Sequence, residues 1–471
     1  MVFRLGRIAA LLAGLVPLGA QAPPSSQCSP RFGSQVTVEP VESSYRATAG
    51  GLGGVFRNGQ AADIVLSGFD FNRSGGGQMF RYNSGISTDG ARLLVADRGN
   101  NRVLIWNQLP DQNRPPDLVL GQPDFDSNDS GAGRGELNWP MSVATDGRRV
   151  VVADTNNDRL LVWNQFPSAN AAPADFELRV EWPWGVWSDG EKLVATSTAT
   201  STALVWNRFP ERGGQPPDLR LRAGGMFGTP RTITSNGRQL IIGDHNARPA
   251  GSAPGNFVWN SFPETEDAPY DFFFTDPLDP RAAWMQGEFF ADGRLALLGR
   301  TLHLWPSGPQ SAGERPGVSI SGFSFQGGDG SDVAIAGNQL FVSAANGNRV
   351  LVYNSPPETP DRAPDFALGS PDLCTNTLES SFLLTNPVPS SNGTSLFVSS
   401  DFDRKLYVWR RLPDQSGARP DLVYHLPQPP WQNALWGSTL RWPAAGEYTS
   451  GPSFLWTASF RTANSATASA A

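Results

Sequence analysis

The amino-acid sequence predicts an all-β protein in which one short unit recurs along the chain. The composition is the first observation: 50 Gly and 40 Pro occur among 471 residues and are spread over the whole length. These residues favour turns and interrupt helices, so a coiled coil is excluded and a mostly helical fold is disfavoured. The second observation is a repeat of about 50 residues, a period typical of stacked repeat architectures.

An aromatic residue marks the same position in every repeat. The landmarks follow one another at intervals of 43 to 57 residues and are Trp106, Trp163, Trp206, Trp259, Trp305, Tyr353 and Trp409. A short turn dipeptide rich in Gly, Asp and Asn precedes each landmark, and such dipeptides accept positive φ in tight hairpins. The sequence therefore predicts seven copies of one small antiparallel meander.

Each copy is predicted to contain four strands, and the first copy illustrates the pattern. One strand precedes the Asp89-Gly90 turn, a second spans 93–96, a tight loop leads to a third at 103–106, and a Pro-rich loop leads to a fourth at 117–120. A four-stranded sheet cannot bury both faces alone, whereas radially stacked copies cover each other. We expect a single β-propeller of seven blades, with six blades as the alternative. A β-sandwich or two stacked β-domains would not explain the sustained period.

Ring closure is predicted from one stray strand signature. The fourth-strand pattern Asp-apolar-x-Leu also occurs at residues 63–66, before the first copy. In a ring, the natural partner of this N-terminal outer strand is the last blade. We therefore expect residues 62–66 to complete blade seven, with Asp421-Leu422-Val423 or the 452–460 stretch displaced or extra.

The N-terminus has the pattern of a secretory signal peptide. Arg4 and Arg7 precede an apolar run at residues 8–20, and Ala20-Gln21-Ala22 supplies a small-x-small cleavage site. The run is too short to cross a bilayer as a stable helix, and a buried N-terminal helix is the alternative. No other segment approaches spanning length. We therefore expect a secreted or periplasmic protein without a membrane span.

The predicted organisation has five parts. They are a signal peptide at 1–22, an N-terminal arm at 23–61, the propeller at 62–430, an aromatic-rich C-terminal extension at 431–460 and a disordered tail at 461–471. The extension is expected to pack on the ring as an extra strand or plug, with a sugar-contacting strip as the alternative.

The chain has two cysteines, Cys28 and Cys374. An oxidising compartment permits a disulfide between them, which would tie the N-terminal arm to the loop before the seventh copy. Two unpaired thiols are the alternative, because two distant cysteines do not specify a bridge by themselves.

Two repeats carry a motif that resembles the NHL repeat of β-propellers. The first copy reads Asp97-x-x-Asn100-Asn101-Arg102, the second reads Asp154-x-x-Asn157-Asp158-Arg159, and Trp139-Pro140 supplies the aromatic-Pro pair that precedes the motif. The similarity covers about residues 62–425 and weakens in the third and fifth copies. NHL-like propellers include RNA-binding, protein-binding, lyase and lactonase-like proteins, so the resemblance implies a shape and no single reaction.

Nucleic acid is not an expected partner. The formal net charge is −7, and no basic run is longer than a pair such as Arg404-Lys405 or Arg410-Arg411. Sequence-independent binding to nucleic acid requires a dense Lys and Arg surface that displaces counterions from phosphates. The RNA-binding NHL-like proteins use a basic face, which this chain lacks.

Strand direction divides the loops between two faces of the predicted ring. Because neighbouring strands are antiparallel, the loops between second and third strands share a face with the connections between blades. That face collects acids and aromatic rings, a mixture suited to a polar small molecule, a glycan or a peptide. The candidate ligand-binding residues there are Asp97, Asp154, Asp244, His245, Trp139 and Trp184.

Two further candidates are carboxylates on predicted first strands, beside the central channel. Glu288 and Asp332 do not recur in every repeat, and a residue required for chemistry needs to occur only once. The alternative for each is an ordinary solvated or paired carboxylate. For repeated acids such as Asp97, the alternative is structural: the carboxylate caps its loop and pairs with Arg102.

Histidine is scarce, which disfavours several kinds of catalysis. Only His245, His303 and His425 occur, and none has the spacing of a metal-binding pair or of a nucleophile with its base. A zinc or copper site is not expected, and the sequence has no local signature of a Ser-His-Asp hydrolase. Oxygen ligands are plentiful, so the prediction is no cofactor, with calcium as the alternative.

These observations favour a binding protein over an enzyme, although they leave enzymatic activity open. We expect a non-catalytic, exported, monomeric propeller that binds a protein or polysaccharide through its loop-rich face. The alternative is a calcium-dependent hydrolase or lyase, similar to lactonase-like propellers, that uses channel carboxylates. The two differ in their need for calcium, which only the enzyme requires.

Overall fold

The structure is a computed structural model that describes most of the repeat region. The described residues are 74–251, 253–280, 284–321, 332–344, 347–374, 388–391, 393–400, 405–414, 418–425, 440–442 and 446–448. They form seven four-stranded antiparallel sheets, each made from four strands that follow one another in the chain. The predicted all-β class and the seven four-stranded repeats are confirmed, and the chain is a β-propeller protein.

The first four sheets contain strands β1 to β16. The first is β1 (Asn83–Thr88), β2 (Leu93–Asp97), β3 (Arg102–Trp106) and β4 (Leu118–Leu120); the second is β5 (Pro140–Thr145), β6 (Val150–Asp154), β7 (Arg159–Trp163) and β8 (Phe176–Arg179); the third is β9 (Pro183–Ser188), β10 (Leu193–Ser197), β11 (Thr202–Trp206) and β12 (Leu219–Leu221); the fourth is β13 (Pro230–Ser235), β14 (Leu240–Ala247), β15 (Ala253–Trp259) and β16 (Phe272–Phe274).

The remaining sheets contain strands β17 to β28, and β29 and β30 form a separate hairpin. The fifth sheet is β17 (Gln286–Phe289), β18 (Leu295–Leu298), β19 (Leu302–Trp305) and β20 (Val318–Ile320); the sixth is β21 (Asp332–Ala336), β22 (Gln339–Ala344), β23 (Arg349–Tyr353) and β24 (Phe366–Leu368); the seventh is β25 (Val388–Ser391), β26 (Leu396–Ser400), β27 (Lys405–Trp409) and β28 (Leu422–His425); the hairpin is β29 (Leu440–Trp442) and β30 (Gly446–Tyr448). Short 3-10 turns lie at Arg98–Asn100, Thr155–Asn157, Ala223–Gly225 and Arg248–Ala250.

The turn between the first two strands follows the predicted chemistry. Gly90 has a φ of 85°, and Asp89 Oδ1 accepts hydrogen bonds from the N–H groups of Ala91 and Arg92 at 2.9 and 2.7 Å. Asp146, Asp189 and Asn236 make the same bonds in the next three sheets. Because Gly adopts positive φ without steric cost, these dipeptides fix the register of each hairpin.

The landmark Trp is a buried anchor. Trp106 Nε1 donates a hydrogen bond to the Arg114 carbonyl oxygen at 3.0 Å, in the Pro-rich loop before the fourth strand. Trp163, Trp206, Trp259 and Trp409 make the equivalent bond in their own sheets. One side chain thus fills the sheet interface and fastens the loop, which explains why it recurs.

The first six sheets form a closed ring around one axis. Hydrophobic clusters join the first sheet to the second, and so on through the fifth and sixth. A further cluster joins the first sheet to the sixth and includes Phe80 and Ile86 from one and Phe341 and Val352 from the other. The innermost strands β1 and β21 pack directly against each other at this closing interface.

Side chains of the innermost strands satisfy the backbone edge of the next sheet. Ser87 Oγ accepts a hydrogen bond from the Thr145 N–H at 3.2 Å, and Thr234 Oγ1 accepts one from the Gly287 N–H at 2.9 Å. The edge strands of a sheet otherwise leave these donors unpaired. At these two interfaces a hydroxyl therefore supplies the acceptor that the facing sheet edge lacks.

The seventh four-stranded sheet lies outside this ring. Because β1 and β21 are in direct contact, no sheet fits between the first and the sixth. Among the described residues, the two hydrophobic clusters of the seventh sheet contain only its own side chains, such as Tyr407 and Phe397. Seven blade-like sheets are present as predicted, and the six-bladed alternative describes the part that closes.

The outer strand of the seventh sheet differs from the expectation. β28 occupies this position and pairs with β27, with Leu422 opposite Val408. Leu422 and Val423 are therefore not displaced, because four consecutive strands complete the sheet. Residues 62–66 and 452–460 and the segments predicted to be a signal peptide, an N-terminal arm and a disordered tail lie outside the described residues. In the part of the chain that is described, no helix is long and apolar enough to cross a membrane.

Candidate functional site at the channel mouth

The repeated acids hold the loops at one mouth of the ring. Asp97 Oδ1 accepts a hydrogen bond from the Arg81 N–H at 2.7 Å, and Oδ2 accepts bonds from Asn100 Nδ2 and Arg102 Nε at 2.9 and 2.7 Å. Asp97 and Arg102 are fully buried. The predicted pairing of Asp97 with Arg102 is confirmed, and it fastens the loop before β1 to the loop after β2.

The second sheet repeats this arrangement. Asp154 accepts hydrogen bonds from the Asn138 N–H, Asn157 Nδ2 and Arg159 Nε at 2.7, 2.7 and 2.8 Å. Burial raises the pKa of Asp154 above its ordinary value, although these hydrogen bonds oppose the shift. The carboxylate therefore binds its own loop at the mouth.

The fourth sheet uses backbone donors instead of an Arg. Asp244 accepts hydrogen bonds from the N–H groups of Gly228, Thr229 and Asn246 at 2.8, 2.9 and 2.8 Å. Burial raises its pKa, opposed by these bonds and by the charge of Arg231. Asp244 thus joins the same structural pattern as the two Asp-Arg pairs.

Three aromatic residues at the mouth adopt the left-handed backbone region. Tyr82, Trp139 and Trp182 precede the innermost strands of the first three sheets, with φ of 55°, 60° and 46°. Bulky residues adopt this region only at an energetic cost. The N–H of Trp139 donates to Asn101 Oδ1 of the preceding sheet at 2.8 Å, and Trp182 and Tyr82 have equivalent acceptors. Links between sheets therefore hold the three rings in place.

Aromatic rings and guanidinium groups form a continuous chain of contacts around the mouth, which we call the aromatic-arginine arc. Its members, in order, are Tyr82, Arg98, Trp139, Trp184, Arg231, Trp284 and His245. Arg98 Cζ lies 3.6 Å from the ring centre of Tyr82, and Arg231 Cζ lies 3.9 Å from that of Trp184. The arc spans sheets one to five and unites residues distant in sequence.

Exposure varies along the mouth. Trp184 and Trp284 are 5% exposed, whereas Trp139 and His245 are half-buried. Trp182, two residues before Trp184 in the connection that leads to β9, is 43% exposed. The mouth therefore offers one open indole next to a supported layer of rings and positive charge.

Glu288 and Asp332 come together farther along the channel, at the two interfaces of the sixth sheet. Glu288 Oε2 accepts a hydrogen bond from the Ile335 N–H at 2.6 Å, and Asp332 Oδ2 accepts one from the Ile86 N–H at 3.1 Å. These carboxyl groups occupy the acceptor role that Ser and Thr hydroxyls fill at other interfaces.

The surroundings of this pair favour its protonated forms. Burial raises the pKa of Glu288 from 4.5 to about 8. Burial also raises the pKa of Asp332 well above its ordinary value, and the negative charge of Glu288 adds to the shift. Among the described residues, no three His, Cys, Asp or Glu side chains are grouped so that they could hold a metal ion.

Cys374 forms a disulfide in the structure. The only other cysteine of the sequence, Cys28, lies outside the described residues.

The sequence-based reasoning found part of this site. It named Trp139, Trp184 and His245, which the arc unites, but it missed Arg98 and Arg231, which separate the rings. The signal was available for Arg231, because an Arg directly after the Pro that opens β13 is unlike its counterparts in the first three sheets. Arg98 lies at a variable position of the repeat motif and had no such signal.

Comparison with known proteins finds similarity to a solved structure but does not identify a protein family. The crystal structure of the WD40 β-propeller domain of Doa1 is 11% identical and has a TM-score of 0.37, with 57% of this chain and 77% of that chain covered. No protein-family model matches the chain, and no curated protein matches it. The class that the chain's own sheets define is the β-propeller.

Proposed function

We propose that the protein is an exported, NHL-like propeller that acts as a monomeric binding scaffold for a protein or polysaccharide. The ligand contacts the channel mouth, and Trp182 with the aromatic-arginine arc forms the contact surface. The continuous arc is the observation that carries this proposal. The proposed binding role requires no bound cofactor.

The chemistry of the arc supports this role. Aromatic rings supply large contact area at low entropic cost, and Trp, Tyr and Arg are the residues that dominate binding energy at interfaces. Stacking fixes the Arg231 guanidinium between Trp184 and Trp284, with Cζ 3.9 and 4.8 Å from the ring centres. A ligand that meets prearranged side chains loses less conformational entropy on binding.

Two features support export. Residues 1–22 have the order of a signal peptide, with a basic start, an apolar run and a small-x-small site. Cys374 is in a disulfide, which persists in oxidising compartments. Fusion of residues 1–30 to a reporter that lacks its own leader tests export directly, and retention of the reporter in the cytoplasm would overturn this part.

Truncation of the exposed ring tests the binding surface. The immobilised protein is challenged with soluble polysaccharides, neutral and acidic, and with proteins exported by the source organism, and each bound species is identified. Trp182→Ala is expected to weaken capture about thirtyfold, since truncation of a central aromatic contact costs about 2 kcal/mol. The matched control is Leu412→Ala, which removes a 49% exposed side chain from the loop between β27 and β28. Equal capture by both variants and the original protein would overturn the proposal.

A further inference from the structure

A buried histidine interrupts the core pattern of the fifth sheet. His303 lies in the middle of β19, opposite Ser319 of β20. The residues at the same register position in the other five ring sheets are apolar: Leu104, Leu161, Leu204, Phe257 and Leu351. A polar residue that replaces a core residue in only one of six copies is not explained by the scaffold.

His303 connects a carboxylate to a serine hydroxyl. Its Nδ1 is 2.8 Å from Ser319 Oγ, and its Nε2 is 3.2 Å from Asp276 Oδ2. Asp276 follows β16 of the neighbouring sheet, and its Oδ1 accepts hydrogen bonds from the N–H groups of Leu278 and Asp279 at 2.9 and 3.2 Å. His303 and Asp276 are 0% and 2% exposed, whereas Ser319 is half-buried.

The carboxylate fixes the tautomer of the imidazole. Burial opposes ionisation of Asp276, but the hydrogen bond from His303, the attraction of positive charge on that imidazole and the bonds from the two N–H groups outweigh it and lower the pKa. In the neutral imidazole, the ionised Asp276 accepts a hydrogen bond from Nε2–H, and the lone pair of Nδ1 then faces the Ser319 hydroxyl. A nucleophile, a base and a group that orients the base are thereby aligned, which is the arrangement that activates serine.

Access to the hydroxyl comes from the outside of the ring. β20 is the outermost strand of its sheet, so Ser319 lies at the rim, away from the channel mouth. The partner strands of other sheets have Val119, Glu177, Arg220, Phe273 and Ala367 at this position. At this register position of the six described ring sheets, a serine therefore faces a histidine only in the fifth sheet.

We propose that Ser319 is an activated nucleophile that attacks small carboxylic esters at the outer rim of the fifth sheet, with His303 as its base and Asp276 as the residue that positions His303. Ser319 Oγ forms a bond to the ester carbonyl carbon, and its proton passes to His303 Nδ1. The bond between that carbon and the alkoxy oxygen then breaks, and the leaving group takes the proton from Nδ1 as an alcohol. Water cleaves the acyl-serine in the reverse sense and releases the acid.

A fluorophosphonate probe and p-nitrophenyl acetate test the proposal on the full-length protein. Stoichiometric labelling at Ser319, located by peptide mass spectrometry, and ester hydrolysis are expected. Both should be lost in Ser319→Ala. Asp276→Asn should slow labelling at least tenfold. The amide oxygen stays with the Leu278 and Asp279 N–H groups, so the amide NH2 donates to Nε2 and leaves the imidazole proton on Nδ1, facing Ser319. Near-ultraviolet circular dichroism establishes that each variant is folded.

The matched control places a serine where no histidine supports it. Arg220→Ser, made in the Ser319→Ala background, puts an accessible hydroxyl opposite Leu204 at the same register position of the third sheet. It should not be labelled. Absence of labelling at Ser319 in the folded protein would overturn the proposal. Labelling of the control serine at the same rate, or a folded Asp276→Asn variant that reacts unchanged, would overturn it as well. If Asp276→Asn does not fold, the comparison of Ser319 with the control serine decides.

Discussion

Replacement of Glu288 by Gln should remove a large part of the pH dependence of stability. The Glu288 carboxyl group faces the Ile335 N–H across the interface between the fifth and sixth sheets. A Gln side chain retains the carbonyl oxygen that accepts this hydrogen bond but cannot ionise. The substitution therefore isolates the charge from the geometry.

The magnitude follows from the pKa shift. Burial raises the pKa of Glu288 from 4.5 to about 8, and each unit corresponds to about 1.4 kcal/mol. The folded state holds the proton more tightly than the unfolded state, so stability is highest below pH 4.5 and falls as the pH rises to about 8. The full shift amounts to ~5 kcal/mol. Because Glu288 is half-buried beside the channel, solvent screening leaves ~2–5 kcal/mol.

Urea unfolding between pH 5 and 9 measures this effect, with the disulfide kept intact. The original protein and Glu288→Gln should differ little at pH 5, and the variant should be the more stable by ~2–5 kcal/mol at pH 8 and above. Asp332 retains its own titration in both proteins, which leaves a residual slope in each. Parallel profiles for the two proteins would refute the assignment of the pH dependence to Glu288.

Three further predictions concern the ring and its ions. Arg102→Ala should lower the free energy of unfolding, measured with urea, by about 3–5 kcal/mol, because it leaves Asp97 buried without its partner. The control Arg294→Ala breaks an exposed ion pair and should lower it by under ~1 kcal/mol. Equal losses in the two variants would contradict this. Asn83→Ala removes the Nδ2 bonds to Ser343 Oγ and the Arg349 carbonyl, and should speed hydrogen exchange in the first and sixth sheets together. Acceleration in the first sheet alone would argue against closure there. Excess calcium or a chelator should leave the thermal midpoint and ligand capture unchanged, and a large shift in calcium would favour the hydrolase alternative.

The sequence predicted the four-stranded unit, because every repeat carries the local signals that form it. Turn dipeptides such as Asp89-Gly90, the landmark Trp and the Asp97-Arg102 pair act within one sheet or its own loops, so their spacing alone identified seven four-stranded units. Closure depends on which sheets meet, and repeated positions cannot distinguish the first sheet from the seventh. The contact between the first and sixth sheets was therefore beyond the reach of the repeat pattern.

The site was predicted less completely than the fold for a related reason. Aromatic residues were recognised as members of one face because strand direction determines the side on which each loop lies. Stacking between Arg231 and Trp184 depends on side-chain conformations in two sheets. His303 had a usable signal, since a His among the apolar residues of a third strand breaks the pattern, but its partner Asp276 belongs to the preceding repeat.

The meeting of the first and sixth sheets has a consequence for how the chain acquires its shape. Asn83 and Ser343 are bonded at this junction although 260 positions separate them. Until the sixth sheet has been synthesised, the apolar face of the first sheet that packs against it has no native partner. Contacts between residues so far apart in the chain slow the closure of the ring and leave apolar surface exposed to non-native contacts. A chain that crosses a membrane unfolded would be most prone to aggregation before the first and sixth sheets meet.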